Sequence, residues 1–313
     1  MRYWVKKILL LLITLFAVSL LVFLAFQIIP GDPATKMLGT SATPERLEAL
    51  QEELGLNRPV LVRYVDWLGN FLRGNAGTSY TYSTPVSDLL RDKLPVTLTL
   101  SAITFLLVLV ISFPLGLLLA HREDTLLDRI LTPVNQIIMS IPPFFTGILF
   151  CYIFGIILKL FAPGNYVSFQ ADPLGHFVYL FFAALAIALP KSAMTIKILR
   201  GSIAAEMEQD YIRTAYARGN TRYGALRRHA LKNAIVPVIT FLAMTLADII
   251  AGSIVVEQVF SIPGIGRLLL SSISSRDYPV VQAIIVFIAF FVVATNFLAD
   301  IINQRIDPRL RLS

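Results

Sequence analysis

Apolar runs long enough to cross a membrane alternate with polar intervals along this chain. Residues 8–29 are uncharged and mostly apolar, and about 20 such residues span the hydrocarbon core of a bilayer. Similar runs cover residues 96–120, 133–158, 177–198, 234–256 and 280–302. The pattern therefore predicts an all-α polytopic membrane protein with six transmembrane helices.

The first run is either a retained span or a cleaved signal peptide. Arg2, Lys6 and Lys7 precede it, which suits both. A signal peptide has an apolar region of about 7 to 15 residues and ends at a small-residue site, whereas this run has 22 residues and ends in Ile-Pro-Gly-Asp-Pro-Ala. We expect a retained span whose N-terminus lies in the cytoplasm, because positive charges favour that side.

A polar stretch, residues 30–95, follows the first run and predicts an extracytoplasmic domain. Helical patterns cover residues 44–54, with Thr43 as N-cap and Gly55 as stop, and residues 60–72. This domain is either a passive cap or a surface that meets a substrate-binding protein.

Composition supports the membrane assignment. Of 313 residues, 56% are hydrophobic and 15% charged, too apolar for a water-soluble domain. The net charge of +7 does not indicate nucleic acid, because the basic residues lie between apolar runs. Segments assigned to the inside hold 17 Lys and Arg against 3 in the short outer segments, which predicts cytoplasmic N- and C-termini. The single cysteine, Cys151, is expected to be a buried thiol.

One long polar interval, loop 206–237, interrupts the apolar runs of the C-terminal two thirds. Its apolar residues recur at helical spacing on both sides of Gly219, which predicts two short amphipathic helices hinged at this glycine. A simple connector needs no apolar faces, so we expect a cytoplasmic protein to dock here. Gly219 is either the site of a sharp turn or a simple helix stop.

Loop 206–237 resembles the coupling loop of ABC-transporter permeases, in the form used by the dipeptide, oligopeptide and nickel importer family. The resemblance rests on Tyr-Ile-Arg-Thr-Ala-Tyr-Ala-Arg-Gly at residues 211–219, then His-Ala-Leu and Lys-Asn-Ala-Ile-Val-Pro at residues 229–237. Two residues, His229 and Lys232, depart from the broader family pattern. The resemblance implies that the loop contacts an ATPase through Arg213, Thr214, Ala215, Arg218, Gly219, Arg227, Arg228, His229 and Leu231. Membrane topology alone explains the arginines equally well.

Residues 256–282 also resemble this family, in the pattern Val-Glu-x-x-Phe-x-x-Pro-Gly-x-Gly-Arg-Leu and in Arg-Asp-Tyr-Pro. Pro263, Gly264 and Gly266 predict a tight turn, and the apolar residues around them predict a re-entrant or interfacial hairpin. Glu257 and Arg267 are candidates for the outer mouth of a path, or else form an interfacial ion pair of little functional weight.

Asp248 lies deep in the fifth apolar run. A carboxylate there costs about 2.5–3.5 kcal/mol to insert, so it faces a cavity or a partner. No basic partner is evident in the neighbouring runs. Asp248 therefore either packs as a hydrogen-bonded residue or lines the translocation path and favours cationic cargo. Pro142 and Pro143 predict a kink in the third run, which is either an ordinary bend or a second element of the path.

The sequence lacks the common motifs of ATP hydrolysis and of two classes of hydrolase. It contains no Gly-x-x-x-x-Gly-Lys-[Ser/Thr], no His-Glu-x-x-His and no Gly-x-Ser-x-Gly, so neither ATP hydrolysis of that type nor these hydrolytic sites are expected. His121, His176 and His229 fall in three separate polar intervals, which does not suggest a metal site. We expect a transporter subunit that binds no cofactor. An energy-independent channel or scaffold, or an integral membrane enzyme, is the alternative.

The resemblance implies a type I ABC importer permease core (MetI-like) over residues 96–303. Residues 1–29 form an added cytoplasmic end and first transmembrane helix, 30–95 the extracytoplasmic domain and 304–313 a cytoplasmic tail. It further implies a prokaryotic inner membrane location, a second homologous permease, two cytoplasmic ATPase subunits that use ATP and Mg, and an extracytoplasmic binding protein. The implied cargo is peptides, or nickel chelates or opine-type solutes.

Overall fold

The structure, a computed structural model, describes residues 2–28, 33–39, 42–53 and 55–306. Within these ranges the regular elements are helical, apart from one isolated bridge between Thr78 and Pro85. In chain order the helices are α1 (Arg2–Ile28), α2 (Pro33–Leu38), α3 (Pro44–Glu53), α4 (Val60–Leu72), α5 (Val86–His121), α6 (Leu126–Ser140), α7 (Pro143–Phe150), α8 (Pro173–Met207), α9 (Asp210–Ala217), α10 (Arg222–Ala225), α11 (Leu231–Val259), α12 (Ile265–Ser275) and α13 (Tyr278–Ile306). π-helical segments follow α7, at Cys151–Ile157, and α10, at Leu226–Ala230.

Five helical segments are long and apolar enough to cross a membrane. They are Val5–Gln27, Val86–His121, Pro173–Met207, Arg222–Val259 and Tyr278–Ile302. These five confirm the predicted spans, and with the family assignment below they confirm the all-α membrane class. Residues 307–313 of the predicted tail lie outside the described residues.

The third predicted span is a bent pair of helices rather than one kinked helix. Its two parts, Leu126–Ser140 and Pro143–Ile157, meet at 98°. Two consecutive prolines lack the amide hydrogens that a continuous helix needs at this point. Pro142 instead serves as the N-cap residue of α7, and its carbonyl accepts the Thr146 amide at 3.2 Å. Cys151, expected to be buried, is partly exposed here.

The chain divides into two compact units, one with residues 1–97 and 263–294, the other with residues 98–262 and 295–313. In the second unit α8 packs against α6, α7 and α11. Its apolar core joins α5, α8 and α11 through residues such as Val108, Leu199 and Val238. A methyl group added at Gly116 would lie 2.7 Å from Leu199, so this glycine permits the close approach of α5 and α8.

In the first unit, the turn predicted at Pro263, Gly264 and Gly266 ends before Gly266, and a re-entrant or interfacial hairpin stays a prediction. Residues Ile265–Ser275 form helix α12, with Gly264 as its N-cap residue and Gly266 inside it. The apolar residues of this segment recur at helical spacing, and Ile265, Leu268 and Leu269 are buried. The helix ends at Arg276, which adopts the left-handed conformation with φ 57°.

Asp277 fixes the turn that begins at Ser79 from a fully buried position. Its carboxylate accepts the Ser79 hydroxyl, the Tyr80 amide at 3.0 Å and the Thr81 amide at 3.1 Å. Charge-assisted hydrogen bonds of this kind are about twice as strong as neutral ones. Asp277 therefore ties residues 79–81 to the turn between α12 and α13.

Replacing Asp277 by alanine should destabilise this unit. The buried Ser79 hydroxyl and two partly buried amides would lose their acceptor, which costs about 1–3 kcal/mol per unsatisfied buried group. We expect a lower apparent melting temperature and faster proteolysis near residue 80. Ser274→Ala is the matched control, because its exposed hydroxyl bonds the Leu270 carbonyl of its own helix. An Asp277→Ala protein that melts like this control would contradict the assignment.

Candidate functional site

Loop 206–237 folds as one short helix, a glycine turn and the beginning of a long helix. Helix α9 ends at Ala217, and the chain turns through Gly219, whose φ is +84°. Beyond the turn, α10, the π-helical segment Leu226–Ala230 and α11 follow without interruption. The first predicted amphipathic helix is therefore confirmed. The second is wrong as a separate short helix, because α11 runs through Pro237 into the fifth span without a break.

A small apolar core holds the two arms of this loop together. Ile212 and Ala215 of α9 are buried against Ala225 and Ala230 on the other arm. Met207, at the end of α8, packs against the same cluster. The apolar spacing that predicted a protein partner is thus satisfied at least partly inside the chain.

Hydrogen bonds close the loop at its base. The Tyr211 hydroxyl donates to the Glu206 carboxylate, and the Asn233 side-chain amide donates to Tyr211 at 3.2 Å. Burial raises the pKa of the Tyr211 phenol, and its hydrogen bond to Glu206 raises it further. The phenol therefore remains protonated at neutral pH and keeps its role as donor. This contact joins the end of α8 to the beginning of α11.

The same loop is attached to the turn between α5 and α6. Arg222 Nη2 lies 2.7 Å from Glu123 Oε2, and the rings of His121 and Tyr223 meet edge-to-face with centroids 5.3 Å apart. Helices α8 and α11 are therefore not the only elements that this loop contacts.

The sequence-predicted loop residues divide into an outer set and an inner set. Ala215 is buried, and Leu231 is partly buried against the core of the second unit. The others are exposed: Arg213, Thr214, Arg218, Gly219, Arg227, Arg228 and His229. These residues lie on the surface of the loop, where Arg213 pairs with Asp210 at 3.3 Å.

An ion pair near the same end of the helices joins α6 to α8. Arg200 donates to Asp128 Oδ2 at 2.7 Å and to the Thr132 hydroxyl at 2.8 Å, and Thr132 donates to Asp128 Oδ1 at 2.8 Å. Asp128 is buried, and a buried carboxylate is stable only when its lone pairs are satisfied in this way. Nothing in the local sequence pattern predicted this cluster.

Asp248 has a basic partner, contrary to the expectation from sequence. Lys191 Nζ donates to Asp248 Oδ2 at 2.8 Å, joining α8 to α11. The sequence analysis included Lys191 among the 17 Lys and Arg residues of the inner segments. In the structure α8 continues to Met207, so Lys191 lies midway along this helix. The Lys191 side chain is 25% exposed and that of Asp248 is 63% exposed. A half-exposed ion pair in a membrane helix requires a cavity or another chain beside it.

The other path and mouth candidates lie apart from this pair. Pro142 is exposed at the break between α6 and α7, and Phe144 and Phe145 just beyond it are also exposed. Glu257 is fully buried and receives the Ser253 hydroxyl at 3.4 Å, whereas Arg267 is exposed. A role for any of these residues stays a prediction. Among the described residues, no group of three or more His, Cys, Asp or Glu side chains forms a candidate metal site.

Two family models match the chain almost from end to end. Residues 112–312 match the binding-protein-dependent transport system inner membrane component. Residues 1–101 match the N-terminal region of the same membrane components. The chain belongs to this family.

Curated relatives agree with this membership. This permease is 37% identical over 294 residues to the probable peptide ABC transporter permease protein y4tP of Sinorhizobium fredii, with 94% of each chain covered. It is 35% identical over 311 residues to the oligopeptide transport system permease protein AppB of Bacillus subtilis, with 98% of each covered. It is also 34% identical over 305 residues to the nickel import system permease protein NikB of Staphylococcus aureus, covering 96% of this chain and 89% of the relative. The predicted ABC-importer permease family is confirmed.

Several residues that organise this permease site escaped the sequence reasoning. They include Glu206, Tyr211 and Asn233 at the base of the loop, and Glu123 and Arg222 beside it. One local feature of the sequence could have predicted the contact between Glu206 and Tyr211. The two residues are five positions apart and lie on either side of the residue at which α9 begins.

Gly219→Val should impair the permease more than Gly219→Asn. No heavy atom lies within 4 Å of the position that a Cβ would occupy at Gly219, so the positive φ rather than crowding requires glycine. A left-handed conformation costs an ordinary residue about 1–2 kcal/mol, whereas asparagine adopts it more readily. We expect less cargo uptake per ATP hydrolysed in the assembled transporter carrying Gly219→Val. Gly201→Ala, at an uncrowded helical glycine without a positive φ, should behave like wild type. The same cargo uptake per ATP hydrolysed in Gly219→Val, Gly219→Asn and Gly201→Ala would contradict this account.

Proposed function

We propose that this permease forms, with a second homologous permease, the transmembrane path of an importer for peptides or for small solutes such as nickel chelates or opines. An extracytoplasmic binding protein delivers the cargo. Two cytoplasmic ATPase subunits supply energy from ATP and Mg, and the permease itself binds no cofactor. Relatives named for peptide and nickel transport support the peptide and nickel part of this range.

The observation that carries the proposal is the construction of loop 206–237. Its inner residues form a core with the end of α8, and its outer residues present basic side chains such as Arg218, Arg227 and Arg228. A loop of this kind offers a surface to a partner and transmits the partner's displacement to α8 and α11. Only contacts that differ between the two states of the ATPase pair shift the permease between its conformations.

The remaining parts of the proposal concern orientation and organisation. We place both termini on the cytoplasmic side of a prokaryotic inner membrane, since the excess of Lys and Arg in the inner segments remains large without Lys191. We retain the division into a first helix at residues 1–29, an extracytoplasmic region at 30–95, a core at 96–303 and a tail at 304–313. Glu257 and Arg267 border the outer mouth in this arrangement.

The Lys191–Asp248 pair supports a zwitterionic cargo. A free peptide carries an ammonium group that competes with Lys191 for Asp248, and a carboxylate that competes with Asp248 for Lys191. The exposed side of the Asp248 carboxylate can accept the ammonium group of a peptide while Asp248 keeps part of its contact with Lys191. The pair therefore lines the path in our proposal and favours peptides among the possible cargoes. Pro142 and Pro143 are proposed as a separate element of the same path.

Charge reversal at Arg227 and Arg228 tests the docking surface. We expect Arg227→Glu together with Arg228→Glu to reduce copurification of the ATPase subunits and to abolish ATP-dependent uptake, because both exposed side chains face the proposed partner. Arg129→Glu is the control, as Arg129 is an exposed arginine on α6 outside the loop. Uptake that persists without ATP hydrolysis would instead favour an energy-independent channel.

Substitution of Asp248 and Lys191 tests the path. Asp248→Asn should reduce uptake of cationic peptides more than that of neutral ones, because it removes the group that receives an ammonium. Lys191→Met should spare cationic peptides and reduce uptake of acidic ones. A purely structural ion pair would give the same loss for every cargo, with recovery in the double variant. Uptake assays with peptides matched in length but differing in charge distinguish these results.

A further inference from the structure

Helix α4 has three distinct faces. At 100° per residue, Tyr64 and Trp67 lie on one side of the helix, and both rings contact Phe23 of α1 with centroids 5.4 and 5.8 Å apart. The next face, within an arc of about 40°, consists of Leu61, Val65 and Leu72, which are 71%, 65% and 78% exposed. The apolar surface of α4 is thus wider than the part of it that α1 covers.

The opposite side of α4 is polar. Arg63, Asp66 and Asn70 lie within an arc of about 60°, roughly 150° from the exposed apolar face. Arg63 donates to Gln27 of α1 at 2.9 Å, and Asp66 accepts from Arg58 at 3.4 Å. A wide apolar arc opposite a charged face is the pattern of a helix that lies in the plane of a membrane interface.

Contacts with α1 fix the depth of α4. The apolar span of α1 is Val5–Gln27. The Tyr64 hydroxyl lies 2.8 Å from the Ser19 hydroxyl, eight residues before Gln27, which corresponds to about 12 Å along a helix. Trp67 packs against Phe23, about 6 Å from the level of Gln27. An interfacial helix buries its apolar face by about 5–10 Å. The level of Trp67 lies within this range, and the level of the Tyr64 hydroxyl lies slightly deeper.

The same contacts argue against an aqueous environment for the exposed face. The surface of α1 beside α4 belongs to a span that is only 11% buried within the chain, so this chain leaves most of its circumference open to lipid or to a partner chain. Leu61, Val65 and Leu72 continue this open apolar surface. A face of this size in water would expose three large apolar side chains together, which soluble surfaces avoid.

We propose that α4 is an interfacial helix immersed in the bilayer leaflet at the C-terminal end of α1, with Leu61, Val65 and Leu72 in contact with lipid acyl chains. In the proposed orientation this is the outer leaflet. The helix predicted as part of an extracytoplasmic domain is then a membrane anchor for that domain. It holds the following segment at a constant height above the bilayer.

Fluorescence quenching tests this placement in the full-length permease assembled with its partner subunits in lipid nanodiscs. Cys151, the single cysteine, is replaced by alanine, and a bimane label is attached at Val65→Cys or Leu72→Cys. Lipids brominated on their acyl chains report contact with lipid, and aqueous iodide reports contact with water. Leu21→Cys in α1 is the lipid control, Glu48→Cys in α3 the water control, and Asn70→Cys the control on the polar face of α4.

The proposal requires brominated lipid to quench the label at Val65 and Leu72 at least half as strongly as at Leu21, with little quenching by iodide. Asn70 should give the reverse pattern, as Glu48 does. Quenching of Val65 and Leu72 by iodide, as at Glu48, would show an aqueous domain and overturn the proposal. Weak quenching by both agents would show that a protein covers this face, and would overturn it equally.

Discussion

The apolar core shared by the two arms of loop 206–237 is the contact on which the rest of the account depends. Ile212 and three alanines bring α9 against the beginning of the α10–α11 helix, and Met207 adds the end of α8 to the same cluster. Small side chains allow the backbones to approach closely, and close-packed interiors deform little. The loop therefore follows its two membrane helices as one body, and a force applied to its basic outer surface reaches both of them.

Two ion pairs join α8 to a neighbouring helix, one to α6 and the other to α11, but their environments suit different roles. Asp128 is buried and satisfied by Arg200 and Thr132, so removal of either partner leaves an uncompensated charge, which is strongly destabilising. Asp248 is largely exposed and pairs with Lys191. An exposed pair contributes little to stability, which leaves Asp248 available to a passing charged group. Burial thus separates a structural pair from a functional candidate.

Local patterns in the sequence predicted much of this fold. Apolar run length located the membrane helices, proline located the break at residue 142, and the bounds of α4 and the turn at Gly219 followed from helical spacing and glycine. Contacts between distant positions were out of reach: Lys191 and Asp248 are 57 residues apart and Glu123 and Arg222 are 99 apart. No periodicity specifies which side chains two packed helices bring together, and the turn motif at Pro263 was compatible with both a hairpin and the helix that forms.

The rigidity of loop 206–237 is tested most directly by electron spin resonance distances in the assembled transporter. Spin labels at Tyr216 and Lys197, which are exposed on α9 and α8, report the position of the loop relative to its membrane helix in a chain lacking Cys151. Between nucleotide-free and ATP-trapped states, the account predicts an unchanged distance within the chain, while the distance between a label at Tyr216 and one on the partner permease changes. A shift of the distance within the chain would contradict it.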